Sequence, residues 1–162
     1  MGAPGYIKNK QGQLKERVFY DFKILKEISA PDGILYYIIQ DPYDNKHMME
    51  SDFYRSYQFK IGDVIPVRID HINCKGQVFF EPRHPFFKEG EIFDCKYLGQ
   101  VMQKNKFNEE ELYLNVEGPD GIPTLIQTIS LHQEKKGFQI DIIPCKIKKI
   151  SKGKLIMTQY LK

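Results

Sequence analysis

The chain repeats itself in order: Tyr20-Asp-Phe-Lys-Ile-Leu25 returns as Phe93-Asp-Cys-Lys-Tyr-Leu98, and Ile65-Pro-Val-Arg-Ile69 returns as Ile143-Pro-Cys-Lys-Ile147. Between these blocks Tyr37 matches Tyr113 and Asp44 matches Asp120, while Ile72 and Lys75-Gly76 match Ile150 and Lys152-Gly153. Matched positions lie 73 to 78 residues apart, so the order is kept and only loops differ in length. This spacing exceeds the roughly 20 to 50 residues of solenoid repeats. Each copy is therefore expected to be a small domain with its own core.

From Val18 onward, short stretches rich in Ile, Val, Tyr and Phe alternate with turn signals at Pro31-Asp32-Gly33, Asp41-Pro42 and Lys75-Gly76. The pattern is all-β. It predicts strands near 18–28, 34–41, 45–50, 63–72 and 76–81, with counterparts near 91–102, 111–117, 121–128, 140–150 and 153–160. Residues 51–57 and 130–134, each opened by a serine that suits a helix cap, predict one or two helical turns between the third and fourth strands. Residues 1–17 are polar and lack apolar periodicity, and read as a flexible basic arm outside the fold. The first module is then 18–83, the connector 84–90 and the second module 91–162.

Three strands, a short helical connection and two more strands is the order of an OB-fold barrel. Within that frame, Ile61-Gly-Asp-Val-Ile-Pro-Val-Arg-Ile-Asp70 followed by Lys75-Gly-Gln-Val-Phe-Phe-Glu-Pro82 resembles the fourth and fifth strands of the S-one-type RNA-binding repeat. The second copy departs from that pattern, with Gln139-Ile-Asp-Ile142 at the start of the strand and Met157-Thr158 at its end. The resemblance implies two tandem five-stranded OB-fold barrels and an RNA ligand.

Charge is unevenly spread over the 162 residues, whose net charge is +3. Lys8, Lys10, Lys15 and Arg17 against Glu16 account for the surplus in the arm, and after Asp141 there are six lysines and no acid. The second copy is the more basic one. Cys74, Cys95 and Cys145 have no metal-ligand spacing and read as reduced, partly buried packing residues. No apolar run has the roughly 18 residues of a membrane helix, so a cytoplasmic protein without a membrane partner is expected.

Strand alternation nominates a binding face. Aligning the copies sends Tyr20, Phe22 and Ile24 inward with Phe93, Cys95 and Tyr97, and turns Lys23 and Lys96 outward. In the second strand Tyr36 and Ile38 pair with Leu112 and Leu114 as core positions, which turns Tyr37 and Tyr113 outward. Arg68 and Lys146 occupy matched outward positions in the fourth strand. An outward tyrosine beside an outward cation suits a stacked base and its phosphate. His47 supplies a possible second ring, and Lys148, Lys152 and Lys154 extend the basic stripe.

The sequence contains no phosphate loop, no zinc-protease helix motif and no nucleophile elbow, and its four histidines are scattered. The expected function is non-catalytic and cofactor-free: binding of single-stranded RNA or DNA through the tyrosines and cations above. A protein-docking module of an RNA-processing or translation complex is the second expectation, favoured by the near-neutral body of the chain.

Overall fold

In the computed structural model, which describes residues 7–8, 13–127 and 141–161, the chain divides into two compact units. The first comprises Met1–Phe86 with Ser151–Gly153, and the second Phe87–Ile150 with Lys154–Lys162. A short ladder joins β1 (Ile7–Lys8) to β2 (Gln13–Leu14). The first unit continues with β3 (Phe19–Ser29), β4 (Leu35–Gln40), β5 (Lys46–Glu50), a 3-10 helix (Asp52–Tyr57), β6 (Val64–Ile72) and β7 (Val78–Pro82). The second contains β8 (Ile92–Lys104), β9 (Glu110–Glu117), β10 (Pro123–Gln127), β11 (Ile142–Ser151) and β12 (Lys154–Gln159).

The fold is all-β, with two five-stranded sheets of equivalent order, β5-β4-β3-β6-β7 and β10-β9-β8-β11-β12. Among the described residues no ladder joins β5 to β7 or β10 to β12, so both sheets are open and neither is a closed barrel. The 3-10 helix occupies the connection predicted for the first copy. Its serine does not cap it: Ser51 is fully buried, and its hydroxyl accepts instead from the Arg55 guanidinium at 3.2 Å. The matching connection in the second copy, with Ser130 and His132, lies outside the described residues. No described helix is long and apolar enough to cross a membrane.

Hairpin turns repeat one device. Asp32, Asp41, Asn73, Asn105 and Asp120 each accept the backbone N–H two residues on, a local bond that lets a short polar side chain close the turn.

The two sheets also share an irregularity. In β3 the register slips between Ile24 and Lys26, and in β8 it slips between Tyr97 and Gly99. One extra residue, Leu25 or Leu98, is unpaired in each case, and beyond a bulge the inward and outward sets exchange. β4 is itself regular and takes its parity from Ile24, ahead of the bulge. Ile24 pairs with Ile39, so Ile39 and Tyr37 face the core while Tyr36 and Ile38 face outward, the reverse of the expected parity. Tyr97 pairs with Val116 in the second unit, which makes Leu114 the structural counterpart of Tyr37 and Tyr113 the counterpart of Tyr36.

The core of the first unit gathers Phe22, Ile24, Tyr37, Ile39, Val67 and Ile69, and that of the second gathers Cys95, Val116, Ile126, Cys145 and Ile147. Burial pushes the Cys145 thiol up to about 12 and raises that of Cys95, in keeping with packing residues. Cys74 differs from expectation, being exposed at the β6–β7 turn.

Residues 14–17 belong to the fold. Leu14 is 2% exposed within the first core, and the Arg17 N–H donates to the Ile69 carbonyl. Phe87 packs on the second core, and the Gly90 N–H donates to the Ile147 carbonyl in the same way. The duplication therefore extends through Leu14-Lys-Glu-Arg17 and Phe87-Lys-Glu-Gly90, where both final residues have positive φ, 66° and 91°. Truncating Leu14 to alanine should lower the unfolding free energy by about 2 to 4 kcal/mol in urea titrations, the cost of a cavity in a filled core. An unchanged midpoint would remove residues 14–17 from the folded unit.

Candidate nucleic-acid interface

The structure redistributes the residues nominated from sequence. Lys23 and Lys96 are exposed on the outer faces of β3 and β8, as expected. Tyr37 is 4% exposed and meets the Phe59 ring edge-on at 6.1 Å, so it is a core residue with no face to offer a base. His47 is almost fully enclosed. Its Nε2 lies 2.8 Å from Asp41 Oδ2, and its ring packs 4.9 Å from Phe80 and 5.9 Å from Phe22. Asp41 also accepts the Tyr43 and Asn45 N–H groups, so the pair fastens the β4–β5 turn to the core.

In the second unit Tyr113 is half-buried and donates its hydroxyl to Glu111 at 2.8 Å, which holds the phenol above its ordinary range with a contribution from burial. Lys146, Lys148 and Lys154 are exposed, but β11 and β9 flank β8 on opposite sides. The tyrosine and the lysines are thereby separated. Only Lys96 stands between them, opposite Glu117 on β9 and Ile142 on β11.

Arg68 is 6% exposed and also leaves the expected outward set. It belongs to a buried ionic cluster at a second bulge, between Ile69 and His71 in β6. Asp70 Oδ1 accepts from Arg17 Nη1 at 2.8 Å and from Arg68 Nη2 at 3.4 Å, while Oδ2 lies 2.9 Å from His71 Nδ1. A carboxylate with partners on both oxygens fixes its neighbours more firmly than an exposed ion pair would. Arg17 and His71 are the members that reach solvent, Arg17 with 42% of its side chain exposed. The His71 side chain is 49% exposed, and its ring stacks on Phe79 with centroids 4.5 Å apart and planes 13° from parallel.

That stack borders a cavity of about 90 Å³ whose lining includes Tyr36 from β4, Met48 from β5, Gln77 before β7 and Lys152 from the 151–153 turn that groups with the first unit. Lys152 also holds its ammonium 5.3 Å from the Phe53 ring. Aromatic faces, a flexible thioether and one cation thus converge on the seam between the outer strands β5 and β7. No group of metal-ligating side chains occurs among the described residues.

Sequence reasoning missed Tyr36, His71 and Phe79. The available signal was the Phe79-Phe80 pair, in which alternation sends one ring to the core and the other out. The Arg17–Asp70 ion pair joins residues 53 positions apart and left no local pattern.

The second unit carries different chemistry at the same backbone positions. Asp21 pairs with Pro66 as Asp94 pairs with Pro144, and the Arg83 and Tyr160 N–H groups donate to those two prolines. Arg68, Asp70, His71 and Phe79 therefore correspond to Lys146, Lys148, Lys149 and Ile156. Among the described residues the ring stack belongs to the first unit.

Below the cavity, Glu81 is 3% exposed and accepts from the Tyr54 hydroxyl at 2.9 Å and from the Lys152 and Gly153 N–H groups at 2.7 and 3.2 Å. Burial raises the Glu81 carboxyl above its ordinary range despite these donors. A carboxyl raised in the folded state contributes stability below its unfolded pKa and loses it as pH rises through the folded value. The stability of the native chain minus that of Glu81→Gln should therefore fall as pH rises from about 4 to 7, measured by urea unfolding at each pH. A difference that grows with pH would contradict the assignment. In the same assay at neutral pH, Tyr37→Ala should cost about 3 kcal/mol or more, whereas Lys23→Ala should stay within about 0.5 kcal/mol.

Comparisons with protein-family models, curated proteins and solved structures returned no match to the chain.

Proposed function

We propose that this chain is a non-catalytic binder of single-stranded nucleic acid, RNA before DNA, built on two OB-fold-type modules. The strand order third-second-first-fourth-fifth in each sheet supports the fold reading, as does the close approach of β5 to β7 and of β10 to β12. These are the strands that meet when such a barrel closes. The preference for RNA rests on the resemblance of residues 61–82 to the S-one-type repeat.

The observation that carries the proposal is the half-exposed His71 ring stacked on Phe79 beside the cavity lined by Tyr36 and Met48. OB-folds take oligonucleotides on strands two and three and on the loop joining strands four and five. Tyr36, Met48 and Gln77 come from those three places. Rings that stack bases do so without regard to sequence, because every base has a π-face. Asp70 keeps the His71 ring in place before a ligand arrives, so little ordering is left to binding. Lys152 is the adjacent phosphate partner. With few cations at the cleft, counterion release is small and affinity falls gently with salt.

Fluorescence anisotropy with labelled RNA and DNA of about ten nucleotides tests the proposal, since one OB-fold covers roughly 4 to 16 nucleotides. His71→Ala and Phe79→Leu should each weaken binding by about 1 to 3 kcal/mol, the worth of one stacked base. Unchanged affinity in both folded variants, or no binding to either oligonucleotide, would overturn it. A second reading, protein docking, is favoured by the outer rows of β8, β11 and β12 in the second unit, which carry no ring.

A further inference from the structure

The outer rows of β8, β11 and β12 form a surface unlike the cleft of the first unit. Ile92, Ile142 and Ile156 are 47%, 58% and 44% exposed, and Lys96, Lys146, Lys148 and Lys154 are exposed among them. The register sets Lys96 directly opposite Ile142, and Lys146 directly opposite Ile92. Two of the lysines thus have an isoleucine as cross-strand neighbour, at about 4.5 to 5.5 Å between Cβ atoms. Asp94, opposite Pro144, is the single carboxylate in these rows.

The corresponding face of the first unit satisfies itself. Arg68 is buried against Asp70, and the Arg68 and Arg83 guanidiniums lie 5.5 and 4.6 Å from the Phe19 ring. In the second unit the same positions hold Lys146 for Arg68, Lys148 for Asp70 and Ile92 for Phe19. The internal anion and the ring are both gone, and positive charge is left facing out beside aliphatic side chains.

We infer that this face is a docking surface for an acidic protein segment that carries aliphatic side chains next to its carboxylates. Charge complementarity sets the sign of the partner, because four ammonium groups outnumber the two carboxylates beside them, Asp94 in these rows and Glu117 on β9 opposite Lys96. The isoleucines set its other half, since methyl groups gain from burial against aliphatic side chains and a sugar-phosphate chain gains little there. These rows contain no aromatic ring on which a base would stack. Lys146 and Lys148 are two residues apart on one strand, about 6.8 Å, which matches carboxylates at alternate positions of an extended segment.

The test uses the full chain and three labelled probes: a peptide of alternating glutamate and valine, a polyglutamate peptide of equal length, and single-stranded RNA. The alternating peptide should bind saturably and about tenfold tighter than polyglutamate, the difference reporting the buried valines. Ile142→Ser with Ile156→Ser should abolish that advantage, and Lys146→Glu with Lys148→Glu should abolish binding of both peptides. All four positions are exposed, so thermal melts should be unchanged. Equal binding of the two peptides, or no binding of the alternating one, would overturn the inference. So would RNA binding that is lost in the lysine variants and kept in His71→Ala. Loss of RNA binding confined to His71→Ala would leave the docking face intact and separate it from the nucleic-acid cleft.

Discussion

Strand alternation, interrupted by one unpaired residue in the first long strand of each unit, sets what this protein shows to solvent. A strand presents alternate side chains to opposite faces, so an extra residue exchanges the faces for everything beyond it. At Leu25 the exchange is confined to β3: Ile24, ahead of it, pairs with Ile39, and the regular β4 therefore sends Ile39 and Tyr37 to the core and leaves Tyr36 outside. A second bulge at Asp70 lets one carboxylate hold Arg17, Arg68 and His71 together. Both cleft rings contributed by regular strands, Tyr36 and Phe79, owe their direction to this alternation.

The duplicated backbone makes the chain its own control. The same bulge, the same positive-φ residue before the first long strand and the same N–H to carbonyl contact recur in both units. Against that constant frame, the substitutions at matched positions stand out as changes of surface chemistry. Arg, Asp, His and Phe in one unit form a self-satisfied cluster ending in an exposed ring. Lys, Lys, Lys and Ile in the other leave lysine charge and aliphatic surface exposed at Lys146, Lys148 and Ile156. The core is kept in type across both units: Phe22 and Cys95, Ile39 and Val116, and Phe80 and Met157 all remain buried.

Much of the fold was legible in the sequence, because it rests on local patterns. Period-two apolar stretches gave the ten main strands, and the Asx and glycine turns gave their ends. Strand parity was legible in β3 as far as Leu25, where Phe22 and Ile24 fall inward and Lys23 outward as read. It fails in β4, where Tyr36-Tyr37-Ile38-Ile39 is apolar at every position and alternation alone does not say which pair faces the core. The alignment matches Tyr37 with Tyr113 by identity, whereas the ladders match Tyr36 with Tyr113. Arg68 was misread for a different reason: its burial depends on Asp70 and on Arg17, and the latter had been set aside with the arm. Leu14 was lost with it, although Lys15-Glu16 and Lys88-Glu89 repeat beside it.

The central claim is that bases meet the His71–Phe79 stack and that Tyr37 is a core residue. The direct measurement is a titration of unlabelled single-stranded RNA into isotope-labelled protein, following the aromatic side-chain resonances by NMR. The account predicts ring-current shifts at His71, Phe79 and Tyr36, with Tyr37 and Tyr113 unmoved. Shifts at Tyr113 or across Lys146 and Lys148, with the His71 ring unchanged, would contradict it.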